Sequence, residues 1–380
     1  MIAAQWLPSL SAATVDAFLA ERTDLEASHL LAFLPEAESA AVPMLQERCR
    51  QAGMALAGAT FPALLVDERL EDHGAVLVRI SGAVAPPPCL IPAAAVDVDA
   101  ATRTLADYVN GALAPDDTAA LLCVFDAMVP NIGSHLDSWY LTLANRVRYM
   151  GVNAGNERFT PAPCLFDGDR FIGGGILAQL LPNHPGAAVQ HGFPTPENLI
   201  TATSAEGNRI VQIDWQPALE VYAALIRERH GIIVTRETFY QHAIHFPFGI
   251  VRADGEMLVR IPVALAEDDS IVCVGEIPSN SILALLDARN DLMPVPTGLA
   301  EDLAERAPER RGGNLLVFYC AGRRLYMGER MHHELADIAR RTAAPHLLGA
   351  LSLGEIGGAR SGGYPLFHNA AVVAVPCRNR

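Results

Sequence analysis

The stretch NLLVFYCAGRRLYMGERMHHELADIARRTAAPHLLGALSLGEIGG, residues 314–358, decides the fold of this chain. It opens with an apolar run typical of a buried strand and continues into an amphipathic helix. A second strand follows, marked by Gly349, and the apolar run FHNAAVVAVP from Phe367 closes the unit. The pattern predicts a supersecondary unit of strand, helix, strand and strand.

The same plan occurs twice more along the chain. One copy starts at His29 with HLLAFLP, AVPMLQERCRQAG, ALAGATFPALLV and HGAVLVRIS, and another starts at Leu121 with LLCVFDA, IGSHLDSWYLTLANRVR, YMGVNAG and FIGGGILAQLL. A glycine is expected to open the second strand each time, at Gly58, Gly151 and Gly349. We therefore predict an α/β (α+β) fold in which internally duplicated β-α-β-β units form mixed sheets with flanking helices. Clefts between the copies are where a ligand is expected.

The remaining segments complete the domain plan. The first residues carry acidic side chains and no basic leader, so they are interpreted as an amphipathic helix rather than a signal peptide. The turn EGN predicts a hairpin, and Pro217 and Gly231 bracket a predicted helix. We predict an N-terminal helix over 1–28, an N-terminal domain over 29–216 and a C-terminal domain over 217–380.

Composition excludes several classes of protein. Hydrophobic residues make up 51% of the chain, yet no run of about eighteen uncharged apolar residues exists to span a bilayer, which predicts a soluble protein. Scattered cysteines without a CxxC pair indicate a reducing cytoplasm rather than a disulfide scaffold or a zinc ribbon. A net charge of −15 disfavours nucleic acid and anionic membranes as partners. The chain has no lysine, which excludes a Walker-A lysine, a Schiff-base lysine and a Ser–Lys dyad.

An ordered set of motifs resembles the FIST family of bacterial sensor modules. In the N-terminal half the set consists of GVNAGNE at Gly151, FDGDRFIGGGILAQLL, QHG at Gln190 and TATSAEGNRIVQIDWQPALEVY. In the C-terminal half it consists of HFPFGIV, EMLVRIPV, VGEIPSNSILALL, FYCAGRR, LGALSLGEIGG and LFHNAAVVAV. The resemblance covers most of the chain from residue 29 onward and implies two FIST subdomains. Trp215 and Asn280 depart from the family pattern, at positions where glycine is more usual.

The resemblance also implies a function. It implies a cytoplasmic, non-enzymatic ligand sensor in bacterial signal transduction. Standalone members of similar size include the NosP group of nitric-oxide-sensing haemoproteins, so haem b with nitric oxide is the first ligand expected. A small carboxylate such as an amino acid is the second. The implied partner is a separate histidine kinase or cyclic-di-GMP enzyme, and a homodimer is a further expectation.

Three histidines are the candidate haem ligands. A haem site needs a neutral imidazole that faces an apolar pocket with an open distal side. His191 is the first candidate, because it follows a strand-like segment and precedes the tight turn at Gly192. Its competing interpretation is a turn residue bonded to backbone. His242 and His245 are the second candidates, in FYQHAIHFPFG, whose aromatic rings suit a porphyrin face and an ordinary core equally well.

Five residues of the third unit form the other candidate site. Arg323, Glu355 and Asn369 are expected to line a cleft in which the guanidinium binds a carboxylate, although Arg323 and Glu355 suit a structural ion pair about as well. Cys320, His368 and Asn369 are residue types of a thiol-nucleophile set, which makes a hydrolase the alternative function. The apolar run that ends at Cys320 favours a core thiol instead.

Overall fold

The computed structural model describes residues 2–21, 27–81, 85–93, 97–114, 117–194, 196–253, 255–290, 292–358 and 363–378. Within these ranges, three copies of one unit surround a shared core, and an insert follows the first strand of the third copy. Each copy contains a leading strand, a helix, a parallel β-α-β pair, a hairpin and a final strand. The predicted α/β (α+β) class, with internally duplicated units in mixed sheets, is confirmed.

The elements of the three units follow the same order along the chain. The first unit has strand Ile2–Leu7, helix Ala12–Ala20, strand Ala27–Pro35, helix Val42–Gln51, strand Ala55–Phe61, hairpin strands Leu64–Val66 and Arg69–Glu71, and strand Ala75–Ser81. The second has strand Cys89–Ile91, helix Val98–Ala112, strand Ala119–Asp126, helix Ile132–Leu143, strand Val147–Ala154, hairpin strands Leu165–Asp167 and Phe171–Ile172, and strand Ile176–Pro182. The third has strand Ala188–Gln190, helix Val295–Arg306, strand Leu315–Cys320, helices Ala321–Met327 and Arg330–Thr342, strand Leu347–Ser352, hairpin strands Glu355–Gly358 and Pro365–His368, and strand Val372–Pro376.

The insert lies between strand Ala188–Gln190 and helix Val295–Arg306 and contains two small sheets. Its elements are strands Leu199–Ala202, Ser204–Glu206, Arg209–Ile213 and Gln216–Pro217, helices Ala218–His230 and Phe239–Ala243, and strands Phe248–Val251, Met257–Arg260, Pro262–Leu265, Ile271–Cys273 and Ser281–Leu285. The predicted EGN hairpin and the predicted helix ended by Gly231 are confirmed. The division predicted between residues 216 and 217 falls inside this insert.

The three units exchange hairpins in a cycle. In each unit the two strands of the β-α-β pair are parallel neighbours, and the final strand pairs antiparallel with the first of them. The hairpin beginning at Leu64 extends the sheet of the third unit, the one beginning at Leu165 extends that of the first, and the one beginning at Glu355 extends that of the second. Each six-stranded sheet therefore contains strands of two units, which joins the three copies into one body.

The repeated glycines are required by the close approach of the two parallel strands within each unit. Gly58, Gly151 and Gly349 lie inside their strands, not at the strand starts as predicted, and each pairs with a residue of the parallel neighbour. A Cβ atom built on them would lie 2.1, 2.1 and 1.8 Å from a carbonyl oxygen of that neighbour. Because backbone atoms cannot move aside without breaking the sheet, only glycine fits.

The core sits where the inner faces of the three sheets meet, and the helices cover the outer faces. Phe33 and Phe61 of the first unit contact Phe318 of the third, with ring centroids 5.4 to 5.9 Å apart. Burial of this shared apolar surface stabilises the arrangement of the units, because none of them can cover its inner face alone.

The N-terminal helix predicted over residues 1–28 is wrong in extent. The helix spans Ala12–Ala20, and Ile2–Leu7 is a strand that pairs with Ala75–Ser81. Ile2 and Ala4 are buried while their neighbours are half-buried, which is the alternation of a strand. Residues 1 and 22–26 of that prediction lie outside the described part of the chain.

The helix predicted from Ile132 to Arg148 is also too long. It ends at Leu143, because Ala144 adopts a positive φ of 45° and Val147 begins the next strand. The β-branched side chain of Val147 suits a strand, and the sequence pattern alone concealed this change.

Candidate ligand-binding cleft

A cleft opens between the three-unit body and the insert. It lies at the carboxyl ends of the parallel strands of the second and third units, where ligands commonly bind in α/β proteins. Two adjoining cavities, of about 370 and 180 Å³, share the side chains of Phe159, Val263 and Val274. We refer to them as the larger and the smaller cavity.

The two cavities differ in their walls. The larger is lined by the second unit, the insert and the hairpin of the third unit, including Met128, Asn131, Asn153, Asn208, Glu276 and Phe367. The smaller is lined mainly by the third unit and the insert, including Tyr240, Ile244, Ile261, Cys320, Leu325, Leu353 and Asn369, with Glu157 and Phe159 from the second unit. The larger cavity thus carries most of the amide groups, and the smaller is mainly apolar.

A buried side chain of the larger cavity has an unsatisfied polar atom. Asn153, in strand Val147–Ala154, is 2% exposed, and its Oδ1 atom has no hydrogen-bond partner among the described residues. Buried amide groups are nearly always hydrogen-bonded. An unpaired amide beside a cavity therefore indicates where a ligand or a water molecule supplies the missing partner.

Glu276 connects the insert to the second unit at the edge of the larger cavity. Its Oε1 accepts a hydrogen bond from the Ser134 hydroxyl at 2.6 Å, and its Oε2 accepts one from the Ser134 amide at 3.3 Å. Ser134 lies in the first turn of helix Ile132–Leu143, whose free amides and dipole favour a carboxylate. Gly133 leaves room for this contact, because a Cβ atom there would lie 2.5 Å from Glu276 Oε2.

A polar cluster lies beneath the smaller cavity. The Cys320 sulfur accepts a hydrogen bond from the Ala370 amide at 3.2 Å. The Glu355 carboxyl accepts one from the Ser352 hydroxyl at 2.6 Å and one from the Ala371 amide at 3.2 Å, and it also shares a side-chain hydrogen bond with Cys320. All its members come from the third unit, so the cluster is local to that copy.

Burial controls the ionisation of this cluster. Glu355 is fully buried, and the loss of water raises its pKa to about 8, although the Ser352 hydroxyl and the Ala371 amide act in the opposite direction. Burial also raises the pKa of the Cys320 thiol, and the nearby Glu355 adds to the rise. At neutral pH the thiol and the carboxyl are both protonated, which describes a core thiol rather than an activated nucleophile.

Arg323 does not face Glu355 as predicted. It is 1% exposed, and its Nε and Nη2 atoms donate to the Glu334 carboxylate at 2.8 and 2.5 Å. Its Nη1 atom donates to the His191 carbonyl at 2.8 Å. The Arg323–Glu355 ion pair, which the sequence left open as an alternative, does not form, because the chain turns directly from strand Leu315–Cys320 into a short helix that points the guanidinium at Glu334.

The hydrolase set predicted from Cys320, His368 and Asn369 is not assembled. Asn369 lines the smaller cavity, but its Oδ1 accepts from the Ile261 amide at 3.3 Å and its Nδ2 donates to the His368 carbonyl. The His368 ring lies 6.3 Å from the His191 ring and makes no hydrogen bond to Cys320. Without an imidazole bonded to the thiol, the nucleophile has no base.

His191 does not fit haem ligation in this structure. Its Nδ1 atom accepts a hydrogen bond from the Phe193 amide at 3.0 Å, and its ring also bonds the backbone of Met257. Burial, followed by the charge of Arg323, lowers its pKa to about 4, so the imidazole is neutral. The Nδ1 lone pair is therefore occupied and the ring is bonded to the protein backbone, which agrees with the turn interpretation.

His242 and His245 lie near the smaller cavity without lining it. The helix Phe239–Ala243 instead presents Tyr240, with Ile244 following it, to the cavity wall. Burial lowers the pKa of His245, and the Arg289 charge acts in the same direction. In the described ranges, no three histidine, cysteine or acidic side chains cluster as metal ligands.

Sequence reasoning missed Asn153 and Glu276. Both stand in quoted motifs, GVNAGNE and VGEIPSN, just after or within apolar runs that become strands. A polar residue at the carboxyl end of a buried strand was the available signal. Nothing in the sequence indicated that these two motifs face one another.

Fold and cleft together define a class: a triplicated α/β protein with a small-ligand cleft under an inserted domain. The sequence matches the model of the FIST N domain over residues 29–216 and that of the FIST C domain over residues 218–358. The chain belongs to the FIST family, whose domains are associated with small-ligand sensing in signal transduction. No curated protein matches the sequence at a significant level. Among the described helices, none has the length and apolar character needed to cross a membrane.

Proposed function

We propose that this chain is a cytoplasmic bacterial sensor that binds a small ligand in the cleft and acts on a separate histidine kinase or cyclic-di-GMP enzyme. The unpaired amide of Asn153 at the wall of the larger cavity carries the proposal. A ligand there supplies a hydrogen bond to Asn153 that no described protein group makes, and this contributes to its affinity.

The position of the cleft supports a signalling role. The cleft is formed by the body on one side and by the insert on the other, and Glu276 bridges the two through Ser134. A ligand held between two connected parts changes the free energy of their relative arrangement, provided that it binds one arrangement better. A partner protein would then bind the surface of the insert and respond to its position.

Thermal unfolding of the full-length chain tests the binding step. A metabolite library is screened, and a ligand at about one hundred times its Kd should stabilise the protein by about 2.7 kcal/mol. Asn153→Ala should abolish the shift for cleft ligands, whereas Asn145→Ala, in an exposed turn, should leave it unchanged. A library without any ligand sensitive to Asn153→Ala would contradict the proposal.

Haem with nitric oxide remains the competing ligand and has its own test. Protein expressed with supplied haem is examined for a Soret band that shifts when nitric oxide is added under reducing conditions. The backbone hydrogen bonds of the His191 ring lead us to expect no such band. A band lost in His191→Ala would establish haem binding through His191. A band lost only in His242→Ala or His245→Ala would assign iron ligation to that histidine instead.

A further inference from the structure

The charged side chains that line the cleft are all acidic. Among the described lining residues, Glu276 is the charged side chain of the larger cavity and Glu157 that of the smaller. Glu157 is paired with Arg324 at 2.7 Å. Glu276 is held by the Ser134 hydroxyl and amide, which are neutral donors. The carboxylate oxygens of Glu276 are therefore bonded by dipoles and not by a cationic side chain.

The nearest guanidinium does not present a charge to a ligand. Arg260 is buried, and it donates to the backbone carbonyls of Glu276, Val259 and Phe367 at 2.9 to 3.0 Å. Its charge weakens the field of Glu276 without pairing with the carboxylate. Because the chain contains no lysine and Arg323 is bound to Glu334, an anionic ligand finds no cationic partner in the described lining of the cleft.

The polar and apolar walls specify the shape of a ligand. Asn153 offers an unpaired amide oxygen in the larger cavity, which Glu276 also lines. Each carboxylate oxygen of Glu276 accepts one hydrogen bond and has a second lone pair left. The neighbouring smaller cavity is walled by Ile261, Val263 and Leu353. A ligand with a cationic hydrogen-bond donor for the larger cavity and an apolar body for the smaller cavity matches both walls.

We infer that the cleft selects a small organic amine, whose ammonium group binds Glu276 and Asn153 while its apolar body occupies the smaller cavity. This inference rests on the proposed function and names the ligand class. It also excludes the small carboxylate expected from Arg323, since a carboxylate would meet Glu276 with like charge.

Three probes of one shape and different charge test the inference. Binding of 2-phenylethylamine, 2-phenylethanol and phenylacetate to the full-length protein is measured by calorimetry at neutral pH and moderate salt. The amine should bind about tenfold or more tightly than the alcohol, because a partly buried ion pair adds to the shared apolar contact. Phenylacetate should bind more weakly than the alcohol.

Charge variants locate the ammonium group. Glu276→Gln should bring the affinity for the amine down to that for the alcohol, without changing the affinity for the alcohol. Glu309→Gln, at the opposite end of strand Leu315–Cys320, is the control with the same change in net charge.

A second variant covers the case in which Glu276→Gln fails to fold. Gly133→Ala keeps the carboxylate but forces it to move, because the new Cβ atom would lie 2.5 Å from Glu276 Oε2. It should also reduce the preference for the amine over the alcohol.

The outcomes separate this inference from the proposed function. Equal binding of the three probes, no binding by any of them, or tighter binding of phenylacetate overturns the amine inference. If library ligands still respond to Asn153→Ala in that case, the cleft remains a sensor site with another ligand class. If the amine preference and the response of library ligands to Asn153→Ala are both absent, the amine inference and the proposed sensor function are both contradicted.

Discussion

The third and first units share a backbone plan but differ in chemistry at one place. In both, the two parallel strands end opposite each other, and a hairpin starts three residues later. At these three register positions the third unit has Cys320, Ser352 and Glu355, and the first has Pro35, Phe61 and Leu64. The fold therefore does not need polar groups at these positions, and the third unit carries them for another reason.

The second unit also has a polar residue at the end of the first parallel strand. Asp126 occupies the place of Cys320, at the end of the corresponding strand. Its Oδ2 atom accepts a hydrogen bond from the Gly174 amide, as the Cys320 sulfur accepts one from the Ala370 amide. The donor belongs to the shared backbone, and only the acceptor changes. The two units that border the cleft have an acceptor here, and the first unit has none.

The largest effect is expected from moving the buried acid to the first unit. Leu64→Glu places a carboxyl in a buried position without a hydroxyl to bond it, because Phe61 stands where the third unit has Ser352. It should destabilise the protein by about 5 kcal/mol. The reverse change, Glu355→Leu, should cost only about 1 to 2 kcal/mol, for the Ser352 hydroxyl and the Ala371 amide left unpaired. Denaturant unfolding measures both, and equal losses would erase the distinction between the units.

The next largest effect is a pH dependence of stability that the third unit should cause and the first should not. Because the pKa of Glu355 is raised to about 8, the folded protein keeps a proton that the unfolded chain releases above its ordinary value of 4.5. Stability should therefore fall by about 1.4 kcal/mol per pH unit as pH rises from about 5 to 8. Glu355→Gln should remove this slope in unfolding measured across that range. If the variant keeps the same slope, the pH dependence of stability comes from other titratable groups.

Glycine replacements should affect the two units alike. Gly58→Ala and Gly349→Ala each place a Cβ atom against a backbone oxygen, and each should destabilise the protein by about 2 kcal/mol or more. Gly168→Ala, whose Cβ atom would meet nothing within 4 Å, is the control. A large difference in melting temperature between the two replacements would show that the repeats do not share this constraint.

The smallest effect concerns the acceptor at Cys320. Cys320→Ala should cost about 1 kcal/mol more than Cys320→Ser, because only serine retains an acceptor for the Ala370 amide. Hydrogen exchange at Ala370 should rise in the alanine variant and stay slow in the serine variant. Identical exchange in both would mean that the sulfur contributes no hydrogen bond.

Prediction from sequence succeeded where the signal was local. The helix from Ala218 to His230 was predictable because proline and Gly231 mark its ends. The strand Ile2–Leu7 was missed because its partner, Ala75–Ser81, lies far along the chain. Arg323 was assigned the wrong partner because it lies in the short helix Ala321–Met327, which the strand pattern did not indicate and which directs its guanidinium to Glu334.

The sequence by itself determined the threefold repeat, the class of fold and the family, because apolar periodicity and recurring glycines are properties of short segments. Only the tertiary structure decided that hairpins pass from unit to unit and that Asn153 and Glu276 face one cleft. Such pairings depend on contacts between residues more than one hundred positions apart. The free energy of burying the shared core fixes those contacts, and no local pattern records them.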